Sequence, residues 1–174
     1  EIIDEMYESL QSKFGEIGKD WWVLTAEELL MVPFDDYDFK FKGFIDLVIA
    51  TKDDKIHLID WKTTSWGWNS KKKSDSTLAY QLVFYKYFYA KKHDVDPKDV
   101  ECHFALLKRT AKPGSKVEFI RVTTGPKRIE NALNTLNTAV YNITNKRYTK
   151  NKLNCRSCKD RFGTCEFYQT EYCS

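Results

Sequence analysis

Three side chains suited to chemistry on a phosphate or a metal ion lie on two neighbouring apolar segments of this 174-residue chain. Asp46 interrupts the segment GFIDLVIA, and Asp60 and Lys62 end the segment KIHLIDWKT. The polar stretch TKDDK between the two segments predicts that they form an antiparallel hairpin. A turn centred on Asp53 places Asp46 opposite Asp60. Because side chains alternate along a strand, Lys62 then points to the same face as both carboxylates.

Two carboxylates opposed in this way indicate a cation site. Directly opposed residues have Cβ atoms about 4.5–5.5 Å apart, and carboxylates at that distance repel unless a cation lies between them. Oxygen-rich sites of this kind suit Mg²⁺ or Mn²⁺. The alternative is a half-exposed hairpin on which Lys62 is only a salt-bridge partner. The pairing puts apolar neighbours on the same face, where acids are costly without a cation: Phe44, Val48, Ile56 and Leu58.

Hydrophobic periodicity predicts the elements that must position these residues. Their order is helix, three strands, helix, two strands, helix and a polar tail. The first helix ends near Gly15, and its apolar face comprises Ile3, Met6, Leu10 and Phe14. The central helix covers residues 74–93, with an apolar stripe of Leu78, Leu82, Tyr85 and Tyr89. The last helix has an apolar stripe of Ile129, Leu133, Leu136, Val140 and Ile143. This arrangement predicts an α/β domain with a mixed sheet.

Composition is typical of a single soluble, globular domain, with 42% hydrophobic and 30% charged residues. No apolar run is long enough to span a membrane and no signal peptide is recognisable, so we expect a cytoplasmic protein without a membrane partner. The chain begins with Glu1 rather than Met, which suggests an excised domain or an incomplete N-terminus. The net charge of +3 says little about partners. Two basic clusters could face either solvent or a phosphate backbone: residues 71–73, and Lys146, Arg147, Lys150, Lys152, Arg156, Lys159 and Arg161.

The cysteines are unevenly distributed along the chain. Cys102 lies alone in an apolar segment, where we expect a buried small side chain. The other four cysteines crowd into the tail: Cys155, Cys158, Cys165 and Cys173. Without a secretory signal, a metal site explains them better than disulfides. We therefore predict a domain over residues 1–150 and a cysteine-rich metal-binding tail over residues 151–174.

Three segments together resemble the PD-(D/E)xK nuclease superfamily, and within it the RecB-like exonucleases. GFIDLVI has the acid Asp46 after a Gly-x-x step from Gly43, LIDWKTT has the D-x-K pattern, and YQLVFYKYF has Gln81 and Tyr85 in a Q-x-x-x-Y pattern. Each motif is weak by itself, but all three occur in the family's order. The resemblance implies a restriction-endonuclease-like α/β core, in which helices flank a central mixed sheet and a cysteine-rich tail follows.

The resemblance also implies Mg²⁺- or Mn²⁺-dependent hydrolysis of DNA. Asp46, Asp60 and the backbone carbonyl of Trp61 would ligate the ion, and Lys62 would orient the attacking water. Gln81 and Tyr85 would position the substrate and the active site, although Tyr85 could instead be a core residue. Thr63 and Thr64 could donate hydroxyls to phosphate or simply end the strand. Two tryptophans beyond them, Trp66 and Trp68, could stack on unpaired bases or cap the core, and Glu27 or Glu28 could add an acid.

The tail is similar to that of RecB-like nucleases with iron–sulfur clusters, including AddB and the CRISPR adaptation nucleases. Their C-x-x-C pair and following cysteine correspond to Cys155, Cys158 and Cys165, whereas their upstream cysteine has no counterpart before Cys102. Either Cys173 is the fourth ligand or the fourth ligand lies outside this chain. The resemblance favours a [4Fe–4S] cluster, with Zn²⁺ as the alternative.

The resemblance suggests DNA as the partner, together with a helicase or recombination protein, and an exonuclease rather than an endonuclease. Its setting would be recombination, repair or replication. Two alternatives stay open: a non-catalytic DNA-binding module of a helicase–nuclease complex, and a zinc-stabilised interaction domain.

Overall fold

A computed structural model describes residues 2–34 and 37–147 of the chain, with residues 159–160, 163–164, 168, 170 and 171 of the tail. The chain forms two compact units, Glu1–Leu133 and Asn134–Ser174. The boundary predicted after residue 150 and the four tail cysteines lie outside the described residues.

The order of elements agrees with the sequence prediction. The helices are α1 (Ile2–Phe14), α2 (Ser70–Lys73), α3 (Ser76–His93) and α4 (Pro126–Thr144). The strands of the main sheet are β1 (Trp21–Pro33), β2 (Lys40–Thr51), β3 (Ile56–Thr64), β4 (Val100–Lys108) and β5 (Val117–Val122). Two short tail strands, β6 (Lys159–Asp160) and β7 (Gly163–Thr164), pair with each other. No helix in the described part of the chain has the length and apolar character needed to cross a membrane.

The five main strands form one mixed sheet in the order β1-β2-β3-β4-β5. Only β3 and β4 run parallel, because α3 forms the crossover that connects them, and all other neighbours are antiparallel. α3 packs along β1 to β4. A cluster containing Leu10 of α1, Trp21, Ile49, Ile59 and Ala105 forms the core on the other face of the sheet. The predicted fold class, a mixed sheet flanked by helices, is therefore confirmed.

Helix boundaries follow local chemistry. α1 ends where Gly15 adopts a φ of 95°, a left-handed conformation that favours glycine. The central helix begins two residues later than predicted because Asp75, in extended conformation, is its N-cap and accepts hydrogen bonds from the amides of Thr77 and Leu78. Ser74 instead ends the preceding turn of helix, α2.

The predicted apolar faces are only partly buried. Leu82, Tyr85 and Tyr89 of α3 are buried as expected. On α4 the only buried residue is Ala132, and Ile143 is 60% exposed, so the predicted stripe of this helix is not a core face along its whole length. Cys102 is fully buried on β4, as predicted.

Candidate active site

The β2–β3 hairpin has the predicted register. Val48 pairs with Leu58 and Ala50 with Ile56, as a turn centred on Asp53 requires. The backbone ladder stops one pair short of the two acids. Beyond it the Asp46 side chain replaces a backbone partner, because its Oδ2 accepts a 2.7 Å hydrogen bond from the amide of Trp61.

Near Asp46, the regular alternation of β2 side chains between the two faces of the sheet is interrupted. A Cβ atom at Gly43 would point at Tyr85 of α3. Ile49 belongs to the core on the α1 face, so its neighbour Val48, five positions after Gly43, points toward α3 by strand alternation. Strict alternation would put the two on opposite faces, so it is interrupted between them. The β1–β2 ladder skips Asp46 and its neighbour Glu27, which has a left-handed φ of 54°. Irregularities of this kind re-aim a side chain next to an active site, and here they accompany the turn of Asp46 toward β3.

This interruption corrects one expectation about Phe44. The sequence predicted that Phe44 shares the face of Asp46 and Val48, but the side chain is 45% exposed. The residue before it, Gly43, is the one that faces α3. A side chain there would bring Cβ within 2.8 Å of Tyr85 Cε1, so the Gly-x-x-Asp step reflects close approach of the helix.

Asp60 is the most enclosed acid of the site, with only 2% of its surface exposed. Its Oδ1 accepts a 2.9 Å hydrogen bond from Gln81 Nε2. Its Oδ2 is buried and has no hydrogen-bond partner among the described residues. Burial raises the pKa of Asp60 against the opposing effect of Lys62, and the charge of Asp46 adds to the rise.

Lys62 shares the face of Asp60, as predicted. Its Nζ forms a 2.6 Å ion pair with Asp60 Oδ2, which opposes the rise in the pKa of Asp60. Its ammonium group also lies 5.9 Å from the centre of the Phe104 ring, and about a third of the side chain is exposed. An ammonium at this position can meet an incoming anion while remaining next to the buried carboxylate.

Gln81 and Tyr85 form a short chain of hydrogen bonds behind Asp60. Gln81 Nε2 donates to Asp60 and lies 3.1 Å from the Tyr85 hydroxyl. Tyr85 is buried against Gly43, as the core alternative requires, and its hydroxyl also contacts Gln81.

The two threonines differ in position. Thr64 follows Asp60 and Lys62 on the same face, and its hydroxyl donates a long, 3.4 Å hydrogen bond to the Gly67 carbonyl. Thr63 alternates to the other face and is exposed, so it does not join the group around Asp60. The Trp61 side chain also points to that other face, where it packs against Phe119.

The two tryptophans after β3 have opposite environments. Trp68 is buried, with its ring 5.0 Å from that of Phe104 and Lys72 over it. Trp66 is 81% exposed. Of the two, only Trp66 offers a ring face to a ligand.

The acids of β1 are placed differently from those of the hairpin. Glu28 is bound at the end of α3 by Lys92 at 2.6 Å and His93 at 2.9 Å. Glu27 is exposed at the irregularity beside Asp46.

The donor set around Asp60 suits a hard divalent cation. A buried carboxylate oxygen without a hydrogen bond, next to a second carboxylate, is an arrangement that a bound cation would complete. Mg²⁺ and Mn²⁺ prefer oxygen ligands of this type.

Sequence reasoning missed Phe104, which forms the wall behind Lys62. It pairs with Asp60 across the parallel β3–β4 ladder. No local pattern marks it, because parallel neighbours are separated by a whole helix. In the sequence, Gly43 and Tyr85 were recognised as positions of two separate motifs, but nothing in the sequence indicated that they are in contact.

Comparison with known proteins identifies the family. A sequence profile of the PD-(D/E)XK nuclease superfamily matches residues 1–162. The comparison with curated proteins gives no match. Among solved structures, the chain is similar to a crystal structure of SSO0001, with a TM-score of 0.48 and 14% identity over 90% of this chain. It is also similar to a protein from Eubacterium rectale whose name describes it provisionally as an exonuclease, with a TM-score of 0.52 and 11% identity over 85% of this chain.

The chain covers 64% and 53% of the lengths of those two proteins. At such low identity, the second of these structures supports the fold and nothing finer. The profile match spans nearly the whole chain, including β2, β3 and α3. The chain therefore belongs to the PD-(D/E)XK nuclease superfamily.

Proposed function

We propose that this chain hydrolyses phosphodiester bonds of DNA with a divalent ion, Mg²⁺ or Mn²⁺. Nucleases of the superfamily generally use divalent metals. Asp46, Asp60 and the Trp61 carbonyl would hold the ion. The observation that carries the proposal is the Asp60 carboxylate, which is buried beside a second acid and has Lys62, a partly exposed lysine, next to its Oδ2.

Each polar residue of the site then has a distinct part in the reaction. When bound, the ion would supply Lewis-acid activation of water and neutralise charge on the phosphate. Lys62 would hold the attacking water in position and stabilise the negative charge that develops on the phosphoryl oxygens. Gln81 would keep the Asp60 carboxylate in a fixed orientation, and Tyr85 would hold Gln81.

Burial of Asp60 explains why the site would need its cation. Because burial raises the pKa of Asp60, its charged form is costly until a positive charge is close. Lys62 is one such charge, but its partly exposed side chain can turn toward a phosphate. A divalent ion would then stabilise the ionised carboxylate.

The finer assignment is a RecB-like exonuclease that acts in recombination, repair or replication, beside a helicase or recombination protein. It rests on the three motifs and their order. Trp66 supports a substrate with unpaired bases, since an exposed indole next to the active strand is a stacking platform.

The four tail cysteines belong to a separate proposal, a metal centre made by Cys155, Cys158, Cys165 and Cys173. They lie outside the described residues, and the proposal rests on the C-x-x-C spacing and the family resemblance. Iron, sulfide and zinc analysis after anaerobic purification decides between a [4Fe–4S] cluster and Zn²⁺. Finding none of these elements would overturn the proposal.

The nuclease proposal is tested by digestion of end-labelled DNA. Linear and closed circular DNA, single- and double-stranded, would be incubated with Mg²⁺, Mn²⁺ or a chelator. We expect release of mononucleotides or short oligonucleotides from linear substrates, abolition by chelation, and intact circles. Cleavage that survives thorough chelation would refute the metal mechanism, and equal cutting of circles would refute the exonuclease assignment.

Two pairs of variants make the site assignment specific. Asp60→Asn and Lys62→Met should each lose at least about a hundredfold in activity. Their controls are Asp99→Asn and Lys55→Met, which break a 2.6 Å lysine–carboxylate pair between the β2–β3 turn and the segment before β4 and should retain activity. Full activity of either site variant would contradict the assignment.

A further inference from the structure

A second group of ligand-type side chains lies on the face of the sheet opposite the candidate active site. His57 is on β3, and Glu101 and His103 are on β4. The parallel register places His57 beside Glu101, and Ile59 beside His103. All three side chains therefore reach the side that α1 covers, where Phe14 packs on both imidazole rings.

One atom from each side chain points at a common centre. His57 Nδ1 lies 3.1 Å from His103 Nε2, and Glu101 Oε2 lies 3.8 Å from the first nitrogen and 3.9 Å from the second. A circle through three points with these separations has a radius of about 2.1 Å, and Zn²⁺ bonds to imidazole nitrogen and carboxylate oxygen are about 2.0–2.2 Å long. One such ion therefore fits between the three atoms.

A hydrogen bond between the two imidazoles explains only part of this arrangement. It accounts for the 3.1 Å separation of the nitrogens. It does not account for Glu101 Oε2, which is nearly equidistant from both nitrogens and beyond hydrogen-bond reach of either. A cation at the centre would account for all three distances.

The protonation states of both histidines and the outer contact of His57 suit metal ligands, whereas His103 Nδ1 is buried without a hydrogen-bond partner among the described residues. Burial lowers the pKa of His57 and lowers that of His103 to about 3, which favours the neutral imidazoles whose nitrogens offer lone pairs. The other nitrogen of His57, Nε2, lies 3.2 Å from the Thr51 hydroxyl, an outer contact of the kind that orients ligating histidines. Glu101 Oε1 accepts a 2.6 Å hydrogen bond from Arg121, which leaves Oε2 to face the histidines.

We propose that His57, Glu101 and His103 form a site for a divalent transition metal of the Zn²⁺ type, separate from the oxygen-rich site at Asp60. Two imidazoles and one carboxylate suit Zn²⁺ and Co²⁺, whereas Mg²⁺ prefers sites made of oxygen alone. Both histidines are almost fully buried, but a quarter of the Glu101 side chain is exposed, which provides an entry path. The bound ion cross-links β3 and β4 and leaves a coordination position for water.

The test is a Co²⁺ titration of the full chain in excess Mg²⁺, followed by visible absorption, with Zn²⁺ as competitor. Cobalt bound to the tail thiolates would also give visible bands, together with near-ultraviolet charge-transfer bands, so the signal of the proposed site is the part of the visible spectrum that Glu101→Gln removes. Glu101→Gln removes a ligand at a partly exposed position, so it should fold. Arg121→Gln is the matched control, because it breaks the same ion pair without removing a ligand.

We expect wild type and Arg121→Gln to bind one equivalent of Co²⁺ at this site and to gain thermal stability with Zn²⁺. Glu101→Gln and His103→Gln should bind at least about tenfold more weakly and gain less. Asp60→Asn should bind Co²⁺ here as wild type does, so the result is independent of nuclease activity. The proposal fails if wild type shows no visible cobalt band, or if Glu101→Gln matches it in both measurements.

Discussion

Replacing Asp60 with asparagine should stabilise the metal-free protein while it abolishes nuclease activity. Asparagine retains an oxygen that can accept the hydrogen bond from Gln81. It removes a buried negative charge whose second oxygen, Oδ2, has no hydrogen-bond partner in the described part of the chain. It also removes the repulsion with Asp46 that contributes to the raised pKa of Asp60.

The size of the gain follows from opposing contributions. A buried polar group without a hydrogen bond costs about 1–3 kcal/mol, and at Asp60 Oδ2 the 2.6 Å ion pair with Lys62 offsets part of that cost. Asparagine gives up the attraction of Lys62, whose partly exposed side chain can turn to solvent and recover its hydration. We therefore expect a net increase of about 1 kcal/mol in the free energy of unfolding, which is about 2–4 °C in Tm for a chain of this size.

The gain in stability of Asp60→Asn over wild type should increase as the pH rises. Since folding raises the pKa of Asp60, the folded state binds its proton more tightly than the unfolded state does. The destabilisation of the folded wild type by the Asp60 charge is thus absent below the ordinary aspartate pKa of about 3.9. It is complete above the raised pKa of Asp60 in the folded state. The Tm difference between Asp60→Asn and wild type should grow as pH rises through that window.

Thermal unfolding in chelator, and again with Mg²⁺, measures this prediction. Mg²⁺ at about 100 times its Kd adds about 2.7 kcal/mol to wild type, and it should add far less to Asp60→Asn, so the order of stability reverses. Asp99→Asn is the control, because its carboxylate is about a third exposed and should show no gain. A metal-free Asp60→Asn protein that melts below wild type would refute the reasoning.

Two further substitutions test the surroundings of the site. Gly43→Ala places Cβ 2.8 Å from Tyr85 and should lower the free energy of unfolding by about 1–3 kcal/mol in denaturant titrations. Gly125→Ala, with open space around it, should not, and equal effects of the two would exclude the packing explanation. Trp66→Ala should leave Tm unchanged and weaken binding of single-stranded DNA by about 1–3 kcal/mol, measured by fluorescence anisotropy. Trp22→Ala removes another exposed indole, and a similar loss there would argue against a specific stacking role for Trp66.

The sequence alone determined the features that depend on neighbours along the chain. The five-residue polar turn and the alternation of apolar residues were enough to predict the register of the β2–β3 hairpin. The same alternation placed Lys62 beside Asp60. Gln81 and Tyr85, four residues apart on a helix, were predicted to reach the same region, and they contact each other. Turn length and helical period control these relations, and both are visible in the sequence.

The tertiary structure decided which residues meet across the crossover. The parallel pairing of β3 with β4 brings Phe104 behind Lys62 and His103 next to His57, although a whole helix separates the two strands in sequence. The opposite environments of Trp66 and Trp68 have the same origin, because only Trp68 meets the ring of Phe104.

Asp46 and Asp60 show both what the sequence predicts and what only the tertiary structure determines. Strand alternation predicted that Asp46 and Asp60 lie close together, but not how each carboxylate is bound. Close packing of α3 on Gly43 accompanies the interrupted alternation of β2. Where the β2–β3 ladder ends, the Asp46 carboxylate accepts a hydrogen bond from the Trp61 amide. Such an interruption depends on how a helix packs on the sheet, and residue spacing along a single strand does not record it.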